Sequence, residues 1–201
     1  MKRRLDLCWR PALLVMAIGG TASHAMAQSP AAGSPGVYRP NQALQSPPLR
    51  VEVLDGRRFR DIETHAIYRL YGVDTCAADQ SARLGRQPWP CGTMAAAWLV
   101  KATLNKWVAC NILRDENGEH LARCAAAEHA DIGADMVRDG IAITLPPTDR
   151  DPAVRVYVGA EQEARKAYRG LWSSTFQMPW EFRGSPEHSA RAATAAQESM
   201  P

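Results

Sequence analysis

The chain has 201 residues, 24 Lys and Arg against 21 Asp and Glu, and is 46% apolar, enough for one compact domain with appendages. The first 27 residues hold four of the basic residues and one acidic residue, so the remainder carries twenty of each and no formal charge. A neutral remainder has no overall field to gather polyanions, which disfavours nucleic acid as a partner, and no later stretch is apolar and long enough to span a bilayer.

Residues 1–27 begin MKRR, pass through the apolar PALLVMAIGG and end on small residues at Ala25 and Ala27. That is the pattern of a signal peptide cleaved after Ala27, and it predicts a secreted or periplasmic protein. Residues 28–48, rich in Pro, Gly, Ser and Ala, read as a flexible linker. LRVEVL alternates and runs into the turn pair Asp55-Gly56; RRFRDIE is a weaker second strand and HAIYRLYGV a third. GTMAAAWLVKATL predicts a helix. KWVACNIL and HLARCAAA are strands flanking RDENGE, where Asn117-Gly118 signals a hairpin. DIGADMVRDG predicts a short helix between an Asp131 N-cap and Gly140. Asp151-Pro152 opens a longer helix that Gly170 closes. The folded domain is thus expected over 49–183, with a tail from Gly184 to Pro201 that is disordered or at most weakly helical.

Four cysteines remain after Cys8 leaves with the leader, and four allow three connectivities. No zinc-ligand spacing is present, so an exported chain points to disulfides. Centring the hairpin on Asn117 sets Leu113 opposite Leu121 and Cys110 opposite Cys124, within disulfide reach; Cys76 and Cys91 then pair by exclusion.

Five strands with a helix between the third and fourth predict an α+β domain, an OB-type five-stranded Greek-key barrel with about three helices. VLDG, YRLYGVDT, PCGTMAAAWL, DENGEHLARC, DIGADMVRDGIA and EARKAYRGLW follow one another over about 49–183 as in the staphylococcal-nuclease-like (thermonuclease) family, which the chain resembles. MPWEFR resembles the ending of secreted bacterial members.

The resemblance implies calcium-dependent phosphodiester cleavage and a set of site positions. Arg69 matches the family's phosphate clamp, while Asp74 and Thr75 match its calcium positions. Three other positions depart from the pattern. Arg57 stands where a calcium-binding Asp is implied, Ala77 where the general base is implied, and Glu119 where a second clamping Arg is implied. The family's nucleotide-contacting tyrosines fall near Pro146 and Thr148.

A lone carboxylate beside an arginine is a poor calcium site, Ala cannot move a proton, and Glu119 repels a phosphoryl group. The resulting expectation is a monomeric accessory or binding protein, envelope- or exopolysaccharide-related by resemblance, with no cofactor. The alternative is an active calcium-dependent endonuclease of DNA or RNA with a rearranged site. In it, Asp55 or Glu63 reaches the metal, or Asp79 replaces the base. The blander readings are an Arg69–Asp74 ion pair, a solvated RRFR strand (57–60), and Trp98, Trp107, Trp172 and Trp180 as packing residues. Reversal of charge at two positions also predicts an Arg57–Glu119 pair.

Overall fold

The computed structural model describes residues 44–186, 188–190 and 197, all within the compact unit Arg39–Pro201. The expected signal peptide, 1–27, and most of the expected linker, 28–48, lie outside the described residues. In chain order the elements are β1 (Leu44–Gln45), β2 (Val51–Val53), β3 (Arg58–Asp61), β4 (Ile67–Leu70), β5 (Val73–Thr75), β6 (Ala82–Leu84) and β7 (Gln87–Trp89). There follow α1 (Cys91–Thr103), β8 (Ala109–Glu116), β9 (Glu119–Ala125), α2 (Ile132–Arg138), β10 (Ala142–Thr144), α3 (Arg155–Lys166), a 3-10 turn (Gly170–Ser173) and α4 (Pro179–Arg183).

The fold is mixed α+β. Its main sheet runs β1-β8-β9-β4-β3-β2, antiparallel except for the parallel β4–β9 pair, and β10 pairs with β5. Leu49 and Val108 exchange two backbone hydrogen bonds, which link the β2 end of the sheet back to β8. The main sheet has a sixth strand because residues 44–45, expected to be linker, pair with β8. Ser46 completes that join: its hydroxyl accepts from the Cys110 N–H, and its own N–H donates to the Cys110 carbonyl. A two-residue strand before two prolines has no periodicity to betray it. Four α-helices and the 3-10 turn are described, against about three helices expected. Beyond Gly184, residues 186, 188–190 and 197 are helical.

The third predicted strand breaks in two at Gly72, whose φ of +71° suits glycine; a Cβ there would press on the Tyr157 ring at 3.2 Å. This break lets β4 join the main sheet while β5 turns to β10. Asp131 caps α2 as predicted, its carboxylate accepting from the Ala134 N–H at 3.1 Å. The longer helix starts at Arg155, not at Asp151-Pro152, and the Asp151 carboxylate binds Arg114 instead of capping it.

Phe59, Tyr68, Leu70, Leu99, Val108 and Met136 belong to the main core, where sheet meets α1, α2 and α3. Burying such a side chain contributes about 1.5–3 kcal/mol. A second cluster holds Cys76, Ala82, Cys91, Ile143 and Leu171, with Trp89, Trp172, Phe176 and Trp180 packed against it. Of the four tryptophans expected to pack, Trp107 instead faces solvent.

Both expected disulfides are present: Cys76–Cys91, with Cα atoms 5.7 Å apart, and Cys110–Cys124, at 4.1 Å. The hairpin register differs by one near its turn. Asn117 and Gly118 both have positive φ and form a two-residue turn, so Glu116 pairs with Glu119 and Arg114 with Leu121. A bulge between Ile112 and Arg114 absorbs Leu113, and from Ile112 onward the register restores Cys110 to Cys124. Leu113 therefore does not face Leu121.

Candidate functional site

Strands β3, β4 and β9 lie side by side and bring several charged residues together. Arg58 is directly opposite Arg69 on the antiparallel β3–β4 pair. Two like charges in that position repel. Glu119, at the start of β9, answers both: one carboxylate oxygen lies 3.0 Å from Arg58 Nη1 and the other 2.9 Å from Arg69 Nε. The Arg69 Nε contact lacks hydrogen-bond alignment, and that nitrogen has no other partner.

The pairing continues in both directions. Arg69 Nη2 donates to Glu116 at 2.5 Å, and Glu116 also lies 3.7 Å from Arg114, whose guanidinium holds Asp151 through both terminal nitrogens. At the other end Arg58 Nε donates to Asp55 at 2.7 Å. Seven side chains thus alternate in sign from Asp55 to Asp151. The Arg69 hydrogen bond holds the Glu116 carboxyl below its ordinary value, and that of Arg114 does the same for Asp151. Burial draws the Arg58 guanidinium down, but hydrogen bonds with Asp55 and Glu119 outweigh it and leave its pKa raised.

Asp74 sits apart in a second, shorter group. It is 1% exposed on β5, and its carboxylate meets Arg57 Nη1 at 3.3 Å on one oxygen and Arg183 Nη2 on the other. Arg183 comes from α4 and also donates to the Thr75 carbonyl at 3.2 Å. Desolvation lowers the Arg57 pKa, with Asp74 opposing. The two groups touch where the Asp55 carboxylate accepts the Arg57 and Arg58 backbone N–H groups at 2.9 and 3.0 Å. Together they hold five arginines and five carboxylates, so the lattice is formally neutral.

Beyond Thr75 the chain enters the loop closed by Cys76 and Cys91. The Ala77 N–H donates to the Gln80 side-chain oxygen at 3.0 Å, while Gln80 Nε2 reaches the Gln177 carbonyl at 2.8 Å. Gly92, in the first turn of α1, packs so closely that a Cβ there would stand 1.8 Å from the Ala77 carbonyl oxygen. Loop, helix and C-terminal segment are locked together.

Beside the lattice lies a cavity of about 340 Å³ lined by Arg69, Glu116, Tyr71, Thr144, Pro146 and Thr148, among others. The Thr144 hydroxyl and Arg114 Nε are buried there without hydrogen-bond partners. Pro146 and Thr148, near which the resemblance puts the family's tyrosines, line this cavity, and neither can stack on a base as tyrosine does.

The site residues read from the sequence divide into two sets. Arg57, Asp74 and Thr75 come together with Arg183; Arg69 and Glu119 come together with Arg58 and Glu116. Arg57 and Glu119 do not pair: Arg58, the next residue on the strand, takes Glu119. Nor do Arg69 and Asp74 pair, since each has other partners. The RRFR arginines all take ion-pair partners, and the Arg60–Glu52 pair, at 2.7 Å, lies on the solvated surface. Asp55 is engaged by the Arg58 guanidinium and two backbone amides, whereas Asp79 is half exposed, with His188 Nδ1 at 3.5 Å. Arg183 had no signal beyond its place in MPWEFR.

The donor set does not fit calcium, which takes about six to eight oxygen ligands with anionic charge among them. Both oxygens of Asp74 face guanidinium groups, and the neighbouring Asp55 carboxylate is taken by Arg58 and two backbone amides. Among the described residues no group of three or more His, Cys, Asp or Glu is arranged to hold a metal.

Comparison with known proteins adds two findings. The family model described as staphylococcal nuclease homologue matches residues 68–174. The probable endonuclease LCL3 of Schizophyllum commune (strain H4-8 / FGSC 9210) is 29% identical over 160 residues, 68% of this chain and 53% of that protein. The chain therefore spans about half the length of that relative.

Proposed function

This chain belongs to the staphylococcal nuclease homologues, whose model matches more than half of its length, and on that footing we propose that it is an accessory or binding protein rather than an efficient nuclease. The observation that carries this reading is the pair of guanidiniums, Arg57 and Arg183, closed on Asp74 where the family's pattern implies a cation. Both oxygens of that carboxylate face guanidinium groups, and two fixed positive charges beside it repel a metal ion.

Two more features support it. Ala77 offers no proton acceptor, and the clamp at Arg69 is neutralised by Glu116 and Glu119, so neither is free to stabilise charge on a phosphoryl group. The five-stranded barrel of OB type remains our reading of the architecture, supported by the Leu49–Val108 link. Two disulfides, with no described helix long and apolar enough to cross a membrane, are compatible with a secreted or periplasmic setting.

A second reading, an active calcium-dependent endonuclease with a rearranged site, is favoured by the retained Arg69 and Asp74 and by the likeness to a probable endonuclease. Digestion of DNA and RNA, with calcium or with chelator, separates the two. The accessory reading expects no metal-dependent cleavage and no micromolar calcium binding by calorimetry. Robust cleavage abolished in Asp74→Ala would overturn it.

A further inference from the structure

The outer face of α1 is built unlike a water-facing surface. The helix carries a single charged residue, Lys101, in thirteen. At about 100° per residue, Met94, Ala97, Val100 and Leu104 fall on one stripe, and all four are exposed. The opposite face, with Ala95, Leu99 and Ala102, is the buried one. Thr93 and Lys101 are the polar residues on that exposed stripe, and an outer helix face with so few charges is unlike the usual charged solvent face. The stripe continues into a groove of about 360 Å³, where Leu104 (62% exposed), Trp107 (61%) and Ile62 (51%) stand beside Arg50 and Lys106.

Charge decides between occupants. No carboxylate lines the groove. Arg50 and Lys101 have no ion-pair partner among the described residues, and Lys106 lies 3.3 Å from Glu128, so two of these three cations are unpaired. A second copy docked face to face would set these cations against themselves. An anionic bilayer instead offers hydrocarbon to Trp107, Leu104 and Ile62 and headgroup charge to Arg50 and Lys101; the indole ring suits the interface between the two.

We propose that this face seats the protein peripherally on an anionic membrane surface. It shares no residue with the Asp55–Asp151 lattice or the Asp74 group, so it stands or falls independently of the proposed function.

The test is co-sedimentation of the full chain with vesicles of phosphatidylcholine alone or mixed with phosphatidylglycerol. Binding to the mixed vesicles, weakened by salt and weak on the neutral ones, is the expected result. The double variant Leu104→Glu/Trp107→Glu, at two exposed positions, should lower partitioning at least tenfold, about the effect of withdrawing one large apolar side chain. Arg50→Glu/Lys101→Glu should lower binding to the mixed vesicles by roughly fivefold or more for each charge removed. Absence of binding overturns the proposal. So does binding that survives both double variants, which would assign it to the apolar sequence at 11–20. A dimer in solution that the Leu104→Glu/Trp107→Glu variant dissolves, without vesicle binding, would give the face to a second copy instead.

Discussion

Arg183 closes on the Asp74 carboxylate across 109 positions of the chain, and Arg57 holds the same carboxylate from the other side. This contact ties α4 to β5 and makes the C-terminal segment part of the site. Replacing Asp74 by Asn keeps the shape and removes the charge that separates two guanidiniums. Breaking a fully buried ion pair costs about 3–5 kcal/mol; Arg57 and Arg183 keep some exposure, so about 2–4 kcal/mol is expected here. Urea unfolding measures it, and an unchanged midpoint with an unchanged slope would mean that the two pairs carry no net weight.

The same geometry says how a cation site would be opened. Arg57→Asp with Arg183→Ala would place a second carboxylate beside Asp74 and withdraw both positive charges. Calcium binding should then become measurable by calorimetry, in the range of roughly 10⁻⁴–10⁻³ M that few-ligand sites reach. Ala77 still lacks a base, so the variant is expected to bind without efficient cleavage. Failure of the folded variant to bind would mean that the surrounding oxygens, and not the arginines, are what is missing.

Glu119 keeps Arg58 and Arg69 apart electrically. Substitution by Arg, the residue implied by the family's pattern, would set three guanidiniums together rather than rebuild a clamp. The expected outcome is a loss of about 1–3 kcal/mol in thermal or urea unfolding with no gain of nuclease activity. Glu119→Gln, which still accepts hydrogen bonds, should lose less. Equal stability of the Arg variant and the parent would contradict the role assigned to the carboxylate.

Acid should weaken the long ladder. The carboxyls of Glu116 and Asp151 lie below their ordinary values of 4.5 and 3.8 because arginines hold them ionised. Each therefore contributes stability that is fully present above its ordinary value and is lost as pH falls through its folded value. Arg114→Met, which removes the main cause for Asp151 and a lesser one for Glu116, should be less stable than the parent at pH 7 and approach it in acid. Thermal midpoints taken from pH 7 downward test this; parallel curves would exclude these groups as its source.

Much of the scaffold is legible in local sequence. Helix α1, the Asp131 cap and the Asn117-Gly118 turn are announced by signals a few residues long, and the cysteine pairing follows from the hairpin. The ion-pair partners are not legible in the same way. Arg57 and Arg58 are adjacent, and sequence alone does not say which will turn toward β9 and which toward β5; the pairing of β3 with β4 decides it, placing Arg58 opposite Arg69. Arg183 is farther still, because nothing between 75 and 183 states that α4 returns to β5. Trp107 misled for a simpler reason: indoles are usually covered, and this one lies on the exposed face of the groove.

The bulge at Leu113 has a consequence for how this hairpin can vary. It divides the ribbon into two lengths that keep separate count: the outer one carries Arg114, Glu116 and Glu119, the inner one the Cys110–Cys124 crosslink. A residue gained or lost at the tip can be taken up at Leu113 before it reaches the cysteines. The crosslink is thus insulated from editing at the tip, and the charged end is free to diverge while the covalent end stays in register.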